Sequence, residues 1–163
     1  MIIRLRYRSF PRVTIPPVLV PVGSPQIRYR PVIPARVSDL PGGGGSILIG
    51  AALADPGSDF TILRGSFSVV LGLGSFMHQM NHRWQGRNYG LRFAAVQLEV
   101  GDARGRLRWP AKVGFTEAPI PYSCLLGVSG FFEFFDVRFC GERQELEIEP
   151  NGLFKLIGGV EMS

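Results

Sequence analysis

Cysteine is scarce in this sequence. Only Cys124 and Cys140 occur in 163 residues, too few for a disulfide framework in a chain of this length. No metal-ligand spacing surrounds either one, so two reduced, mostly buried thiols are expected. Long hydrophobic runs are lacking too. Nothing approaches the roughly 18 apolar residues of a membrane span. The start, Met1-Ile2-Ile3-Arg4, is broken by an arginine at every second position to Arg8, which leaves no apolar segment of signal-peptide length. A cytoplasmic protein with no membrane partner is therefore expected. No segment sustains the three-four periodicity of a long helix, and no repeat of solenoid period is present. The Gly42–Gly45 run has no Lys-Ser/Thr after it, which rejects a phosphate loop. His78 and His82 are spaced i, i+4, but no Glu follows His78 in the zinc-protease manner and no third ligand is apparent; no metal is expected. Ser123, beside Cys124, lacks the glycine spacing of a nucleophile elbow.

What is present points to strands. The chain is 45% hydrophobic with 12 Phe, enough apolar material for a core and against whole-chain disorder. The apolar stretches are short and punctuated by 21 Gly and 13 Pro, a pattern of strands and turns in one all-β domain. Net charge is +5, almost all from arginine. Arg4, Arg6 and Arg8, and then Arg104, Arg106 and Arg108, alternate with other residues as on the wet face of a strand. Such scattering lacks the one-sided clustering of a nucleic-acid footprint, and no nucleic-acid partner is expected. The proline-rich residues 1–26 read as an arm or edge strand. Ile27–Arg30 and Val32–Val37 form a first strand region, and Pro41 with Gly42–Gly45 a flexible loop. Ile47–Ala54 has the length of a buried strand. Apolar residues resume at Thr61–Leu63 and continue through Phe67–Leu71. Residues 72–90, rich in Gly, Met, His, Asn and Gln, read as an exposed excursion. Tyr89–Val100 reads as a long strand whose phase slips at Ala94-Ala95, suggesting a bulge. Gly101-Asp102 is the expected turn and Leu107–Phe115 the partner strand. Tyr122–Leu126 is a short strand, Phe131–Phe135 a helical turn or strand start, and Asp136–Phe139 and Leu146–Glu149 two further strands. Trp84 and Trp109 are expected to pack rather than to line a groove.

One segment carries chemistry: Ala52-Leu53-Ala54-Asp55-Pro56-Gly57-Ser58-Asp59-Phe60-Thr61-Ile62-Leu63. An acid leaves a buried strand into a tight turn. Gly57 lets backbone amides approach the carboxylate, and Ser58 is placed to donate to it. Asp-Pro-Gly is also a good turn sequence in its own right. The segment resembles the active-site loop of retropepsin-like aspartic proteases, in which an apolar pair precedes Asp-Thr-Gly, then Ala or Ser, often Asp, then Thr and an apolar residue. Asp55, Gly57, Ser58, Asp59, Thr61 and Ile62 match. A second family element, two apolar residues and a glycine that brace the loop, is matched by Leu125-Leu126-Gly127. The Gly130–Phe139 stretch is similar to bacterial members. Met77–Tyr89, with Gly86 near its tip, lies in the interval where the family places a hairpin flap.

The resemblance, over residues 27–150, implies a retropepsin-like acid-protease barrel with one short helix near the C-terminal end, and 151–163 as an appendage. It implies a homodimer that hydrolyses peptide bonds in a peptide or protein substrate. Asp55 from each subunit would enter a catalytic dyad, Gly57 and Ser58 would support the carboxylate, Asp59 and Gly86 would contact substrate, and no cofactor would be needed. Two departures stand out. Pro56 replaces the threonine whose hydroxyl grips the partner's loop, since proline has neither hydroxyl nor amide donor. Val128 stands where retroviral members often carry an arginine facing the equivalent of Asp59. The alternatives are a non-catalytic domain that dimerises or binds peptide by strand addition, and a basic barrel that binds nucleic acid.

Overall fold

A computed structural model describes residues 1–11, 27–40 and 44–163. The expected Gly-rich loop lies partly, and the Pro-rich stretch 12–26 wholly, outside the described residues. The structure is 59% strand and 9% helix. In chain order the elements are β1 (Ile3–Arg6), β2 (Arg8–Pro11), β3 (Ile27–Arg30), β4 (Val32–Asp39), β5 (Ser46–Ala54), β6 (Ile62–Arg64), α1 (Ser66–Val70), β7 (His78–Trp84), β8 (Arg87–Asp102), β9 (Gly105–Thr116), β10 (Cys124–Leu126), a 3-10 turn (Phe132–Phe134), β11 (Phe135–Cys140), β12 (Glu145–Pro150), α2 (Gly152–Leu156) and β13 (Val160–Met162). Six strands close a barrel in the order β4, β5, β10, β6, β9, β8, with β8 returning to β4. β7 extends from β8 as a hairpin, and β13 adds to β9. A separate sheet, β1-β12-β11, packs Ile3, Leu5, Leu146 and Ile148 into the main core. Among the described residues no helix is long and apolar enough to cross a membrane.

Local chemistry explains several elements. The β4–β5 register shifts between Ile33 and Ala35. Pro34 sits at that bulge, where its missing N–H costs no ladder bond. The β7–β8 hairpin turns through Gln85 (φ 47) and Gly86 (φ 80), the left-handed pair that a two-residue loop requires to match strand twist. β5 is not buried on both sides as its apolar run suggested: burial alternates and Leu48 is 66% exposed.

The phase slip in the long strand has a cause other than a bulge. β8 pairs with β9 without interruption from Leu91↔Thr116 to Asp102↔Gly105, and the turn falls at Ala103-Arg104 rather than at Gly101-Asp102. Leu91 and Phe93 belong to a second, smaller apolar cluster with Ile62 and Leu125, whereas Ala94, Val96, Leu98 and Val100 face the main core. One regular strand thus serves two cores on opposite faces, and its buried residues change parity where it passes between them.

Two helical segments correct the expectation of a single short helix. Phe67–Leu71 does not continue a strand. Ser66–Val70 is helical and ends at Gly72, whose φ of 68 supplies the left-handed C-terminal stop. Ser68 and Leu71 are buried while Val69 and Val70 face outward. The second helix lies in the segment expected as an appendage. Asn151 caps it by accepting from the amides of Leu153 (2.9 Å) and Phe154 (3.4 Å). Phe154 is fully buried, 5.2 Å from the Phe135 ring and 6.5 Å from Trp109. Trp109 is the hub, with Phe135 edge-on at 4.7 Å and its indole N–H donating to the Gly130 carbonyl (2.9 Å). Residues 151–163 are therefore part of the fold, closed by β13 pairing with Arg106–Arg108 of β9. Residues 1–11 likewise supply β1, paired with β12, and so include the edge strand that was one of the two readings.

Phe154→Ala is expected to lower unfolding free energy by about 3–5 kcal/mol, read as a fall in the urea midpoint; a change under about 1 kcal/mol would remove α2 from the core. Asp102 gives a pH-dependent expectation. Burial alone would raise its pKa, but hydrogen bonds from the Arg4, Arg104 and Gly105 amides, together with the Arg104 charge, outweigh it and hold the carboxyl below its usual value. Its folded pKa lies below the unfolded one, so its contribution is complete above the unfolded pKa and lost as pH falls through the folded one. The stability difference between wild type and Asp102→Asn should shrink between about pH 5 and about pH 2; a constant difference contradicts the assignment.

Candidate active site

β5 and β6 flank the acidic loop, and β10 lies between them. It pairs parallel with β5 (Cys124↔Ala52, Leu125↔Leu53, Leu126↔Ala54) and antiparallel with β6 (Cys124↔Leu63, Leu125↔Ile62). The loop 55–61 therefore bridges over the end of β10, and Leu125-Leu126-Gly127 lies beneath it. Leu125 and Leu126 are buried at 2% and 0% exposure. Hydrogen bonds tie the two segments together along their length: Asp55 N–H to the Leu126 carbonyl (3.0 Å), Val128 N–H to Ser58 (2.8 Å), Ser129 N–H to Asp59 (2.9 Å) and Thr61 N–H to Ser129 (2.8 Å). The fully buried Thr61 hydroxyl accepts the Gly127 amide at 3.1 Å. At Gly127 a side chain would run into the Phe60 carbonyl and come within 2.7 Å of the Ser58 carbonyl. Glycine is thus required for the brace and loop backbones to approach.

Asp55 is half-buried, while Pro56 and Gly57 are exposed. The Ser58 amide donates to the Asp55 carbonyl at 3.1 Å, closing a turn with Pro56 at its second position, where the fixed proline φ is favourable. Proline therefore suits the turn itself. Asp55 Oδ1 accepts the Gly57 amide at 3.0 Å, and a Cβ on Gly57 would stand 3.2 Å from that oxygen. The Gly57 amide is thus a direct donor to the carboxylate. Ser58 does something else: its hydroxyl donates to the Phe60 carbonyl at 2.7 Å, so it stiffens the loop rather than contacting Asp55. Asp59 is exposed, and its carboxylate forms no ion pair among the described residues. Val128 is 44% exposed. Gly86 is at the tip of the β7–β8 hairpin. Cys124, fully buried in β10, has its thiol pKa pushed up to about 12 by burial.

The hairpin and the loop share contacts that sequence reasoning did not identify. Trp84 and Tyr89, flanking the hairpin tip, pack on the smaller cluster with Leu53, Phe60, Ile62 and Leu125. The Trp84 Nε1 is buried without a hydrogen-bond partner among the described residues. A cavity of about 250 Å³ opens beside the loop, lined by Phe60, His78, Met80, Phe93, Lys112 and Ser129. These residues come from five separate segments and converge through strand register, which no local motif signals. His78 and His82 lie on β7, so four residues of strand separate them by about 13 Å and they cannot meet as on a helix. His82 instead contacts the Thr116 hydroxyl at 2.9 Å, and burial lowers its pKa. Comparison with protein-family models finds no match to the chain, and comparison with curated protein sequences finds none either.

Gly127→Ala is expected to destabilise the fold by about 3 kcal/mol or more by driving brace and loop apart. Gly50→Ala, where a side chain would meet open space, should change stability by no more than about 0.5 kcal/mol. Equal urea midpoints for the two variants would contradict the close approach.

Proposed function

We propose that this chain is one subunit of a retropepsin-like aspartic endopeptidase, with Asp55 from each of two copies forming the catalytic dyad. The observation that carries this reading is the clamp on the acidic loop. The Leu125-Leu126-Gly127 strand lies between the two strands that flank Asp55, and Gly127 is held against the loop backbone. Such a clamp fixes a carboxylate to within a narrow range of positions, which acid–base catalysis requires. A β-hairpin with a left-handed glycine tip follows in the chain and packs on the same apolar cluster as the loop.

In the proposed mechanism two Asp55 carboxyls meet across a two-fold axis. Like charges at close range cannot both ionise, so the pair shares one proton, as in aspartic proteases generally. The ionised member takes a proton from a bound water as it attacks the scissile carbonyl, and the protonated member donates to the carbonyl oxygen. The apparent pKa values belong to the pair. Gly57 N–H holds Oδ1 of each copy. With Pro56 in place of threonine, no hydroxyl at that position reaches the partner's loop, and the subunits must hold each other by other contacts. Asp59 and the hairpin around Gly86 are the proposed contacts for the substrate backbone.

Peptide-library digestion by wild type and Asp55→Asn, with solution mass measured in parallel, tests the reading. Wild type should cleave with a bell-shaped pH profile as a dimer, and Asp55→Asn should lose about 10²–10⁴-fold in rate with the fold unchanged. Cleavage that survives the substitution removes Asp55 from the mechanism. Pro56 favours one second reading, a non-catalytic domain of the same architecture that dimerises or binds peptide; it requires peptide binding or dimerisation with no turnover by wild type from acidic to neutral pH.

A further inference from the structure

Two glutamates in this chain are buried beneath three arginines each, and they differ in how completely they are satisfied. Glu147 on β12 is closed: Arg4 Nε donates at 2.9 Å, Arg143 at 2.8 Å and Arg138 at 3.3 Å. Arg143 also meets Glu145 at 3.4 Å, so a second acid balances the group.

Glu99 is not closed in this way. It lies on the outer face of β8, its side chain 9% exposed, with Arg36 of β4 and Arg108 of β9 directly opposite it in register. Arg108 occupies Oε2 with two hydrogen bonds, at 3.0 and 2.8 Å. Oε1 faces Arg36 Nε at 3.9 Å and Arg106 at 3.6 Å. Both distances are too long for a hydrogen bond. Two guanidinium groups thus converge on one oxygen without a hydrogen bond to it, and among the described residues Arg36 otherwise donates only to the Ser46 hydroxyl, at 3.3 Å.

The convergence is built into the sheet. Gly101 pairs with Arg106 across β8 and β9, and a Cβ there would stand 2.7 Å from Arg106 Cγ. Glycine clears the path along which the Arg106 stem crosses toward Glu99. The other acid of the depression, Asp102, directs both oxygens to backbone amides: Arg4 at 2.9 Å, Arg104 at 2.7 Å and Gly105 at 3.3 Å. Its oxygens are thus taken by backbone amides rather than by the guanidinium groups of Arg36 or Arg106. The result is a depression of about 270 Å³ between Arg36, Leu48, Glu99, Asp102 and Arg106, with unused guanidinium donors; with Arg108, which bonds Glu99 from beside it, three arginines stand against two acids.

We propose that this depression binds a phosphate-type oxyanion, bridged between the guanidinium groups of Arg36 and Arg106. Planar guanidinium forks match phosphate oxygens with paired donors. Glu99 holds the arginines in place beforehand, which lowers the ordering cost of binding. The site is distinct from the acidic loop. Arg36 pairs with Leu48, six residues and about 20 Å of strand from the end of β5 that leads into Asp55. The proposal stands whether or not the chain is a protease. A plain network of cross-strand ion pairs on a wet face is the competing account, and it predicts no saturable anion binding.

The test is a ¹H–¹⁵N NMR titration of the full chain with inorganic phosphate against chloride at matched ionic strength. A parallel arm uses a short single-stranded oligonucleotide as the phosphodiester source. Saturable shifts at Arg36 and Arg106 Nε and at the Gly101 amide are expected with phosphate. Oligonucleotide shifts at the same residues would assign the site to phosphodiesters; shifts with phosphate alone would assign it to free phosphate or a monoester. Arg36→Gln/Arg106→Gln should weaken binding at least about tenfold, and Arg83→Gln on the hairpin should not change it. Should the double glutamine variant fail to fold, Arg36→Lys/Arg106→Lys keeps both charges, loses the fork, and should also bind more weakly. Absence of saturation, or undiminished affinity in these double variants, overturns the proposal.

Discussion

The insertion of β10 between β5 and β6 is the constraint on which the rest of the structure depends. Two strands joined by a seven-residue loop would ordinarily pair with each other, as a hairpin. Here a strand from 70 residues downstream separates them, and the loop must arch over its end. That arch is possible because Gly127 has no side chain and because the loop carbonyls of Ser58 and Asp59 find donors in Val128 and Ser129. Buried backbone groups have to be paired, and in this arrangement the loop and the brace pair each other. The barrel then closes through β6–β9 and β5–β4, so the geometry at Asp55 and the closure of the sheet depend on the same strand.

Much of this was legible from residues. The abrupt change from Ala54 to Asp55-Pro56-Gly57 marked a strand end and a turn, and the Leu125-Leu126-Gly127 pattern marked a buried strand ending at a glycine. Strand order was not legible, because pairing depends on contacts distant in sequence. The misreadings have physical causes. Phe67-Ser68-Val69-Val70-Leu71 carries residues favoured in strands, yet the left-handed Gly72 and the buried pair Ser68 and Leu71 suit one helical turn; tertiary context overrides propensity over so short a stretch. The parity change at Ala94-Ala95 was a true signal, but periodicity alone does not distinguish a bulge from a strand shared by two cores. Leu153, Phe154 and Leu156 were too few to show a period, and the role of Phe154 follows only from the aromatic group around Trp109.

The excess of arginine has a structural explanation as well. Arginines alternate along β1 and β9, where neighbouring residues face the core, and several cover the buried carboxylates Glu99 and Glu147. Their long stems cover apolar surface while their heads reach the carboxylates. In the Glu147 group the hydrogen bond from Arg4 foremost, with the charges of Arg143, Arg4 and Arg138, holds the carboxyl below the usual glutamate range, against the upward effect of burial. A high isoelectric point in this chain therefore does not require a broad polyanion surface. Six of the arginines gather in two small groups, each organised by a buried acid, and the group at Glu99 differs in having donors left over.

The outward aspect of the acidic loop limits how it can work. Gly57 occupies one carboxylate oxygen of Asp55, and Pro56, Gly57 and Val128 are exposed. A two-fold contact is self-complementary, so any patch that docks meets its own copy. Under the proposed pairing that brings one Asp55 against another, and the approach is favourable only when a single proton is held between them. Subunit association and proton uptake are then coupled. Raising the pH until both carboxyls ionise would oppose docking, and with no threonine hydroxyl to grip the neighbouring loop this repulsion would weigh more heavily. Under the proposed reading, proline at position 56, where the resembling family carries threonine, would bear first on the affinity between subunits, and through it on the proposed chemistry that needs two copies of Asp55.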